Sequence, residues 1–467
     1  MSSNRWVGLA LIAAAQFIVI MDTSIIGVAL PEIGADLGFS PESLSWVFNA
    51  YVVALGGLLL LGGKLSDVLG ARRVFSLGWV VLIAGSLLAG LAGNEATELA
   101  GRAIQGAGSA LIAPSALTLL FLLFGSTPGE LTKALALYGA AAPAGGTAGV
   151  FLGGVITEYL SWPWVFLVNV PVALLILALV PSAMPAGGAA DGRRVDVLGG
   201  VLVTAGLGAA VYAVVEAPVV GWGAGRTWLW LAGAAVLLVA FVASQARRAE
   251  PLLRLGIFRA PNLAAANLAQ VLLGAAWIPM WFFLNLYLQQ VLGFSAFPSG
   301  AALLPMTGLI MLGMVVLAPR VTAAVGAKAA TVAGLLLLAA GMGWLSLVDA
   351  DGSFVVDVLP GSLVAALGMS LAFIPTLGTA ISAARPDEGG LASGIVNTSY
   401  QVGSALGLAI MTAVAAAHGA GATDPRALTD GYSAAFVGAA IVALAGALAA
   451  ATLLRKDPVR PEVELAA

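Results

Sequence analysis

Asp22 and Arg102 are ionisable side chains set inside long apolar runs, IVIMDTSIIGVAL and LAGRAIQGAGSAL. Low dielectric disfavours the charged form of a carboxyl, so an acid so placed is suited to reversible protonation near neutral pH. A guanidinium beside it would hold the ionised form, and protonation would release it, biasing one conformation over another. The same residues also read as a permanent ion pair or, for Arg102, as a strut between helices. Glu216 stands near the end of another apolar run, either as a second proton site or as an interfacial carboxylate touching water. Other chemistry has little material. The chain has no cysteine, and His418 is its one histidine, which removes thiol nucleophiles and Cys/His metal sites. No GxxxxGK[ST] loop offers a cradle for nucleotide phosphates. We therefore expect no metal, no cofactor and no nucleic-acid partner.

The elements that position these residues follow from composition. Of 467 residues 60% are hydrophobic and 9% charged, whereas a soluble domain carries about 25% charged residues. So few charges cannot make a water-facing surface, so most of the outside faces lipid. Only helices and closed barrels satisfy the backbone there. Apolar runs of about 20 residues select helices. The expected fold class is an all-α polytopic membrane protein with fourteen spans, at roughly 7–30, 43–63, 74–93, 99–123, 134–157, 164–181, 197–217, 228–246, 262–288, 299–318, 329–348, 358–381, 390–415 and 432–454. The first run contains Asp22 and lacks a small-residue cleavage pattern, so it reads as a span rather than a signal peptide. With the N-terminus inside, inside loops hold Arg5, Lys64, Arg72, Arg73, Lys133, Arg193, Arg194, Arg247, Arg248, Arg254, Arg259, Arg320, Lys328, Arg385, Arg455, Lys456 and Arg460. Outside loops hold Arg226 and Arg426, the asymmetry of the positive-inside rule. Both termini are then cytoplasmic. Glu95 and Glu98 fall in an outside loop on this reading.

A repeat runs through the chain. GKLSDVLGAR at 63–72 aligns with PRVTAAVGAK at 319–328, bringing Lys64 onto Arg320, Gly70 onto Gly326 and Arg72 onto Lys328. Glu130, Gly145 and Gly149 similarly match Glu388, Gly403 and Gly407. Equivalent loops eight spans apart imply two six-helix bundles, with spans 7 and 8 inserted, an arrangement suited to alternating access. The expected units are 1–181, 182–260 (the inserted pair and its linkers), 261–455 and a cytoplasmic tail, 456–467. Asp67 either pairs with Lys64, Arg72 and Arg73, caps a helix N-terminus, or is a solvated loop charge; its counterpart is Ala323. Gly145, Gly149 and Gly153 recur every four residues and form a smooth face for close helix contact or for plain packing. Trp277, Trp281, Asn285 and Gln289 also recur every four residues along one face. With Gln16, Asn49, Tyr51, Gln105, Tyr138, Met311, Asn397, Tyr400 and Gln401 they are candidate linings of a wide, sparsely polar cavity, which suits aromatic or polycyclic ligands.

Four stretches together resemble the major facilitator superfamily, and within it the fourteen-span drug:proton antiporter branch. They are MDTSIIGVALP at 21–31; Gly63 to Arg73, similar to the family's motif A; Leu99, Arg102, Gln105, Gly106 and Gly108, similar to motif B; and Gly145, Gly149, Gly153 and Gly154, similar to the antiporter motif C. WVFLVNVP at 164–171 is also typical of the branch. Val150 stands where motif C usually has proline, and Ala71 where motif A is usually basic. The resemblance implies a proton-coupled antiporter, monomeric and in a bacterial cytoplasmic membrane, exporting small lipophilic molecules. Uptake or uniport of another small molecule or lipid is the alternative. It further implies a proton-transfer role for Arg102, an often-acidic position at Glu216, a cytoplasmic gate at Lys64, Asp67, Gly70, Arg72 and Arg73, and a cavity seal at the span 5 glycines.

Overall fold

The computed structural model describes residues 2–40, 43–125, 128–185, 195–248, 250–384 and 389–455. Among them fourteen helices are long and apolar enough to cross a membrane: spans 1 to 14 are Arg5–Leu37, Ser43–Leu69, Ala71–Gly90, Glu95–Phe124, Lys133–Tyr159, Trp164–Ala183, Val197–Val220, Gly225–Arg247, Leu263–Val291, Ala296–Val325, Ala327–Leu345, Phe354–Ala383, Leu391–Ala417 and Pro425–Leu453. None of the described residues is in a strand. Arg193, Arg194, Arg385, Glu388, Lys456, Arg460 and the tail 456–467 lie outside the described residues. Alternating helices return both chain ends to one side, here called the terminal side; the other is the far side.

Several spans run further than hydropathy predicts. Span 1 continues through Pro31 to Leu37, so Asp22 is mid-helix rather than two-thirds along. Pro31 removes one backbone donor, and the added turns are held by Asp36, which accepts from Trp162 Nε1 at 2.8 Å. Span 4 begins at Glu95 because Asn94 caps it, accepting from the Thr97 amide at 3.0 Å. Glu95 and Glu98 thereby join the helix's first turn, where the dipole favours anions. They are not loop residues. Span 6 is broken after Leu167 and resumes at Asn169, since Pro171 cannot donate to the turn before it.

The repeat is structural. Span 2 meets span 3 at Gly70, with φ 89°, and span 10 meets span 11 at Gly326, with φ 85°. In both loops the glycine amide bonds four residues back, to Ser66 and Thr322. Only glycine takes this backbone conformation readily. Spans 3 and 4 touch backbone to backbone at Gly78 against Gly108 and Gly85 against Gly101; spans 11 and 12 do so at Gly334 against Gly368 and Gly341 against Gly361. Spans 5 and 1 repeat as spans 13 and 9: Gly145 abuts the Phe17 carbonyl and Gly403 that of Val271. Helices in lipid associate through such close packing, because apolar side chains gain little by leaving apolar tails.

Spans 1–6 and 9–14 form the two bundles. Span 8 packs on span 7, and span 7 lies against both span 2 and span 13, one from each bundle. On the far side the bundles lock together. Gly154 abuts Ala296 and Phe297, Gly300 abuts Val150, and the Phe297 ring meets those of Phe151 and Tyr159. Gln289 Nε2 donates to the Val28 carbonyl at 2.9 Å, and the Phe297 amide to Glu158 at 3.3 Å.

Candidate functional site

Asp22 lies at the centre of the N-terminal bundle with no solvent exposure, and so does Arg102. The two are brought together: Arg102 Nη1 is 2.8 Å from Asp22 Oδ2. Every neighbour orients one or the other. Arg102 Nε donates to the Val47 carbonyl of span 2 at 2.9 Å, and Nη1 also reaches Gln105 Oε1 at 2.8 Å. Gln105 Nε2 bridges Ser86 Oγ of span 3 at 2.9 Å and Asp22 Oδ1 at 3.2 Å. Asn169 of span 6 donates to the same Oδ1 at 2.7 Å. The guanidinium lies over the Tyr51 ring, 4.5 Å from its centroid, while the Tyr51 hydroxyl donates to Ser109. The centroid of the Phe166 ring lies 5.7 Å from the guanidinium carbon. Five helices thus converge on one carboxylate, and Coulomb attraction in this dry interior is far stronger than in water.

Glycine makes that convergence possible. Cβ atoms built on Gly145, Gly149 and Gly153 would lie 2.3, 2.7 and 2.7 Å from the carbonyl oxygens of Phe17, Met21 and Ile25. The glycine face of span 5 therefore grips the very turns of span 1 that carry Asp22. Gly106 does the same for spans 4 and 2, against the Tyr51 carbonyl.

The repeat sharpens the asymmetry between bundles. Spans 9 and 12 place Ala276, Ser362 and Ala365 where Asp22, Arg102 and Gln105 stand, by the register of the glycine contacts. The ionisable cluster belongs to one bundle.

The remaining sequence candidates are dispersed. Glu216 is half-buried near the far end of span 7, away from Asp22. Lys64 pairs with Glu250, beyond span 8, at 3.5 Å; Arg72 donates to the Met184 carbonyl; Asp67 and Arg73 are exposed. Gln105 and Tyr51, expected to line a cavity, are instead walled into the Asp22 cluster. Asn49 is fully buried with both amide atoms unpaired. Trp281 and Asn285 press on Gly27 of span 1, so the span 9 face packs between the bundles with Gln289 at its far end; Trp277 is buried on the same face. Gln16 accepts from Tyr138 at 2.8 Å, Tyr400 stands edge-on to Phe373, and Gln401 abuts Gly56. Asn397 is half-buried and Met311 exposed.

Asn169, Ser86 and Glu98 are the residues that sequence reasoning missed. Asn169 is an uncharged residue in a segment noted only for its pattern. Replacing it with Leu removes a hydrogen bond to a charged acceptor, worth about 1.5–3 kcal/mol. We expect the purified variant to unfold at a lower temperature than the wild type, checked by thermal unfolding of the two side by side.

The model of the Major Facilitator Superfamily matches residues 12–408. The chain belongs to that superfamily. Its members are membrane transporters, so the chain is a transporter rather than an enzyme. It is 40% identical to the cephamycin export protein of Amycolatopsis lactamdurans over 451 residues, covering 95% of this chain and 91% of that one. It is 38% identical to the puromycin resistance protein of Streptomyces alboniger, covering 92% and 86%. It is 32% identical to the lincomycin resistance protein of Streptomyces lincolnensis, covering 95% and 91%. Among solved structures, the human organic anion transporter superposes with a TM-score of 0.63 at 17% identity, covering 95% of this chain and 99% of that one. A bacterial homologue of the human drug peptide transporters gives 0.65 at 17%, covering 95% and 96%. These two share the superfamily fold.

Proposed function

We propose that this transporter is a proton-coupled antiporter that exports lipophilic antibiotics across the cytoplasmic membrane by alternating access. The observation that carries the reading is the fully buried Asp22–Arg102 pair at the meeting point of five helices. Relatives named for antibiotic export or resistance supply the direction and the substrate class. The bundles 1–181 and 261–455 rock against each other, and 182–260 carries the inserted pair that spans the seam between them. One chain contains both bundles and works as a monomer. The termini and the basic loops lie in the cytoplasm, so the locked far side faces outward and substrate enters from the terminal side. Protonation of Asp22 frees Arg102 from its carboxylate, and the shell around the pair rearranges; deprotonation restores it. Gly145, Gly149 and Gly153 hold span 5 tight on span 1 and Gly154 closes on span 10, which seals the outward side against protons, and Lys64, Asp67, Gly70, Arg72 and Arg73 gate the cytoplasmic side. Glu216 serves as a second proton site nearer the surface.

The test uses inside-out membrane vesicles with an imposed pH gradient, acid inside, and a panel of puromycin, lincomycin and a cephamycin. Accumulation of at least one compound that collapses with a protonophore is the expected result. Uptake that ignores the gradient, or efflux down the substrate gradient alone, sinks the antiport reading.

A further inference from the structure

Glu98 is fully buried, and neither carboxyl oxygen has a partner. It stands four residues before Arg102 in span 4, hence on the same helical face, one turn nearer the far side. Arg102 has an unused nitrogen of its own: Nη2 is buried and without a partner. The other charged group facing Glu98 is Asp22, from span 1. Asp36, further along span 1, is held by Trp162, and Glu32 interacts with Glu158. Where spans 2, 3 and 6 pack around the cluster they contribute Tyr51, Ser86 and Asn169 and no further acid or base.

A buried carboxylate with no compensating group is strongly disfavoured, whereas the neutral acid is tolerated. The arrangement therefore holds two acids of opposite standing around one arginine: Asp22, paired with the guanidinium and accepting from Gln105 and Asn169, and Glu98, with no donor. We propose that Glu98 is a second proton-carrying acid of this site, passing protons from the far side to Asp22, with Arg102 exchanging one carboxylate for the other. This rests on the antiport reading and gives the proton its route. In the step, the O–H bond of Glu98 breaks, the proton bonds to the Asp22 carboxylate, and the guanidinium moves to the carboxylate left on Glu98. The trio stays net neutral before and after, so no uncompensated charge is buried at either stage. Asp22 then releases its proton to the terminal side and Arg102 returns to its carboxylate, while Glu98 takes up a new proton from far-side water when that side opens, so the trio ends as it began and net neutral. Arg102 reaches Glu98 by a change of rotamer, since i and i+4 side chains are neighbours.

The experiment compares wild type, Glu98→Gln, Glu98→Asp and Asp22→Asn in proteoliposomes, using whichever of the three antibiotics the vesicle panel shows to be carried. Two rates are read for each: uptake driven by a pH gradient, and substrate–substrate counterflow with no gradient. In Glu98→Gln the ratio of the first to the second falls by about a hundredfold, the low side of what a positioned proton-transfer group contributes. Its dependence on far-side pH flattens, and Glu98→Asp recovers much of both. A Glu98→Gln ratio equal to the wild type overturns the proposal, as does a parallel loss of both rates in the Gln and Asp variants, the mark of a packing role. A wild type with no response to the gradient is a different failure, that of the antiport reading itself, and this inference falls with it.

Discussion

Replacing Asp22 by Asn removes proton-driven transport, and replacing Arg102 by Ala removes it together with about 3–5 kcal/mol of stability. The two effects separate because of how the pair is built. Asn keeps a carbonyl oxygen for the donors on Gln105 and Asn169, and Glu98 on the same helix face is left to balance Arg102, so this variant loses less stability than Arg102→Ala, but Asn cannot carry a proton. Alanine at 102 leaves Asp22 as a buried charge with no cation, and also frees the Val47 carbonyl. Lysine at 102 restores charge but not geometry. Its ammonium is a compact point charge on a flexible stem and cannot reproduce a fork that reaches Val47 through Nε while Nη1 holds Asp22. We expect Arg102→Lys to recover part of the stability and a small part of the transport. The double variant Asp22→Asn with Arg102→Gln is the decisive one. Removing both charges of a buried pair is often neutral or stabilising by about 1–4 kcal/mol, so this protein should unfold at or above the wild-type temperature while remaining uncoupled. Thermal unfolding of the purified variants, set beside gradient-driven uptake, gives the four comparisons. Full drug resistance in cells carrying Asp22→Asn would falsify the assignment of Asp22 as the coupling acid.

How much of this was legible in the sequence depends on what each residue needs in order to announce itself. A charge inside an apolar run is conspicuous because lipid makes it expensive, and Asp22 and Arg102 stood out for that reason alone. Asp22's place in its helix was less legible, since Pro31 and the acids after it look like the end of a helix. Asn94 is the signal that would have corrected Glu98: an N-cap residue three positions before Thr97 starts the helix early, and four-residue spacing then sets Glu98 on the Arg102 face. Asn169 and Ser86 carry no comparable mark, because a neutral side chain gains its role only from the fold that brings it to a carboxylate. The cavity candidates turn on the same point. Helical periodicity assigned Trp277, Trp281, Asn285 and Gln289 to one face, yet whether that face meets a cavity or span 1 is decided by the packing of bundles. The Lys64–Glu250 contact, which ties the end of span 2 to the segment beyond span 8, is likewise tertiary. The repeat was more legible than its first two matches indicated. Gly78 and Gly85 recur at Gly334 and Gly341, and Gly101 and Gly108 at Gly361 and Gly368. These pairs are seven residues apart, two helical turns, the spacing of a continuous helix–helix seam.

Those seams yield the second large effect, and it should appear in both bundles. Gly145→Ala would set a methyl where the Phe17 carbonyl oxygen already stands 2.3 Å away, and Gly403→Ala would do so at the Val271 carbonyl, 2.0 Å away. Neither contact is with a side chain that can rotate aside. Spans 1 and 5, or spans 9 and 13, must separate, and overpacking of this kind costs about 1–3 kcal/mol. Gly139 and Gly378 are the controls, since a methyl on either meets nothing within 4 Å. Alanine there gains up to about 1 kcal/mol from helix propensity, so unfolding temperature should hold or rise. The two seam variants then part company in function. Separating span 5 from span 1 shifts the turns that carry Asp22, so Gly145→Ala should lose transport out of proportion to its stability. Gly403→Ala disturbs a bundle whose matching positions hold alanine and serine, so its transport should track the amount of folded protein. Equal specific activity in the two variants, measured per folded molecule, would show that the glycine face of span 5 is packing and nothing more.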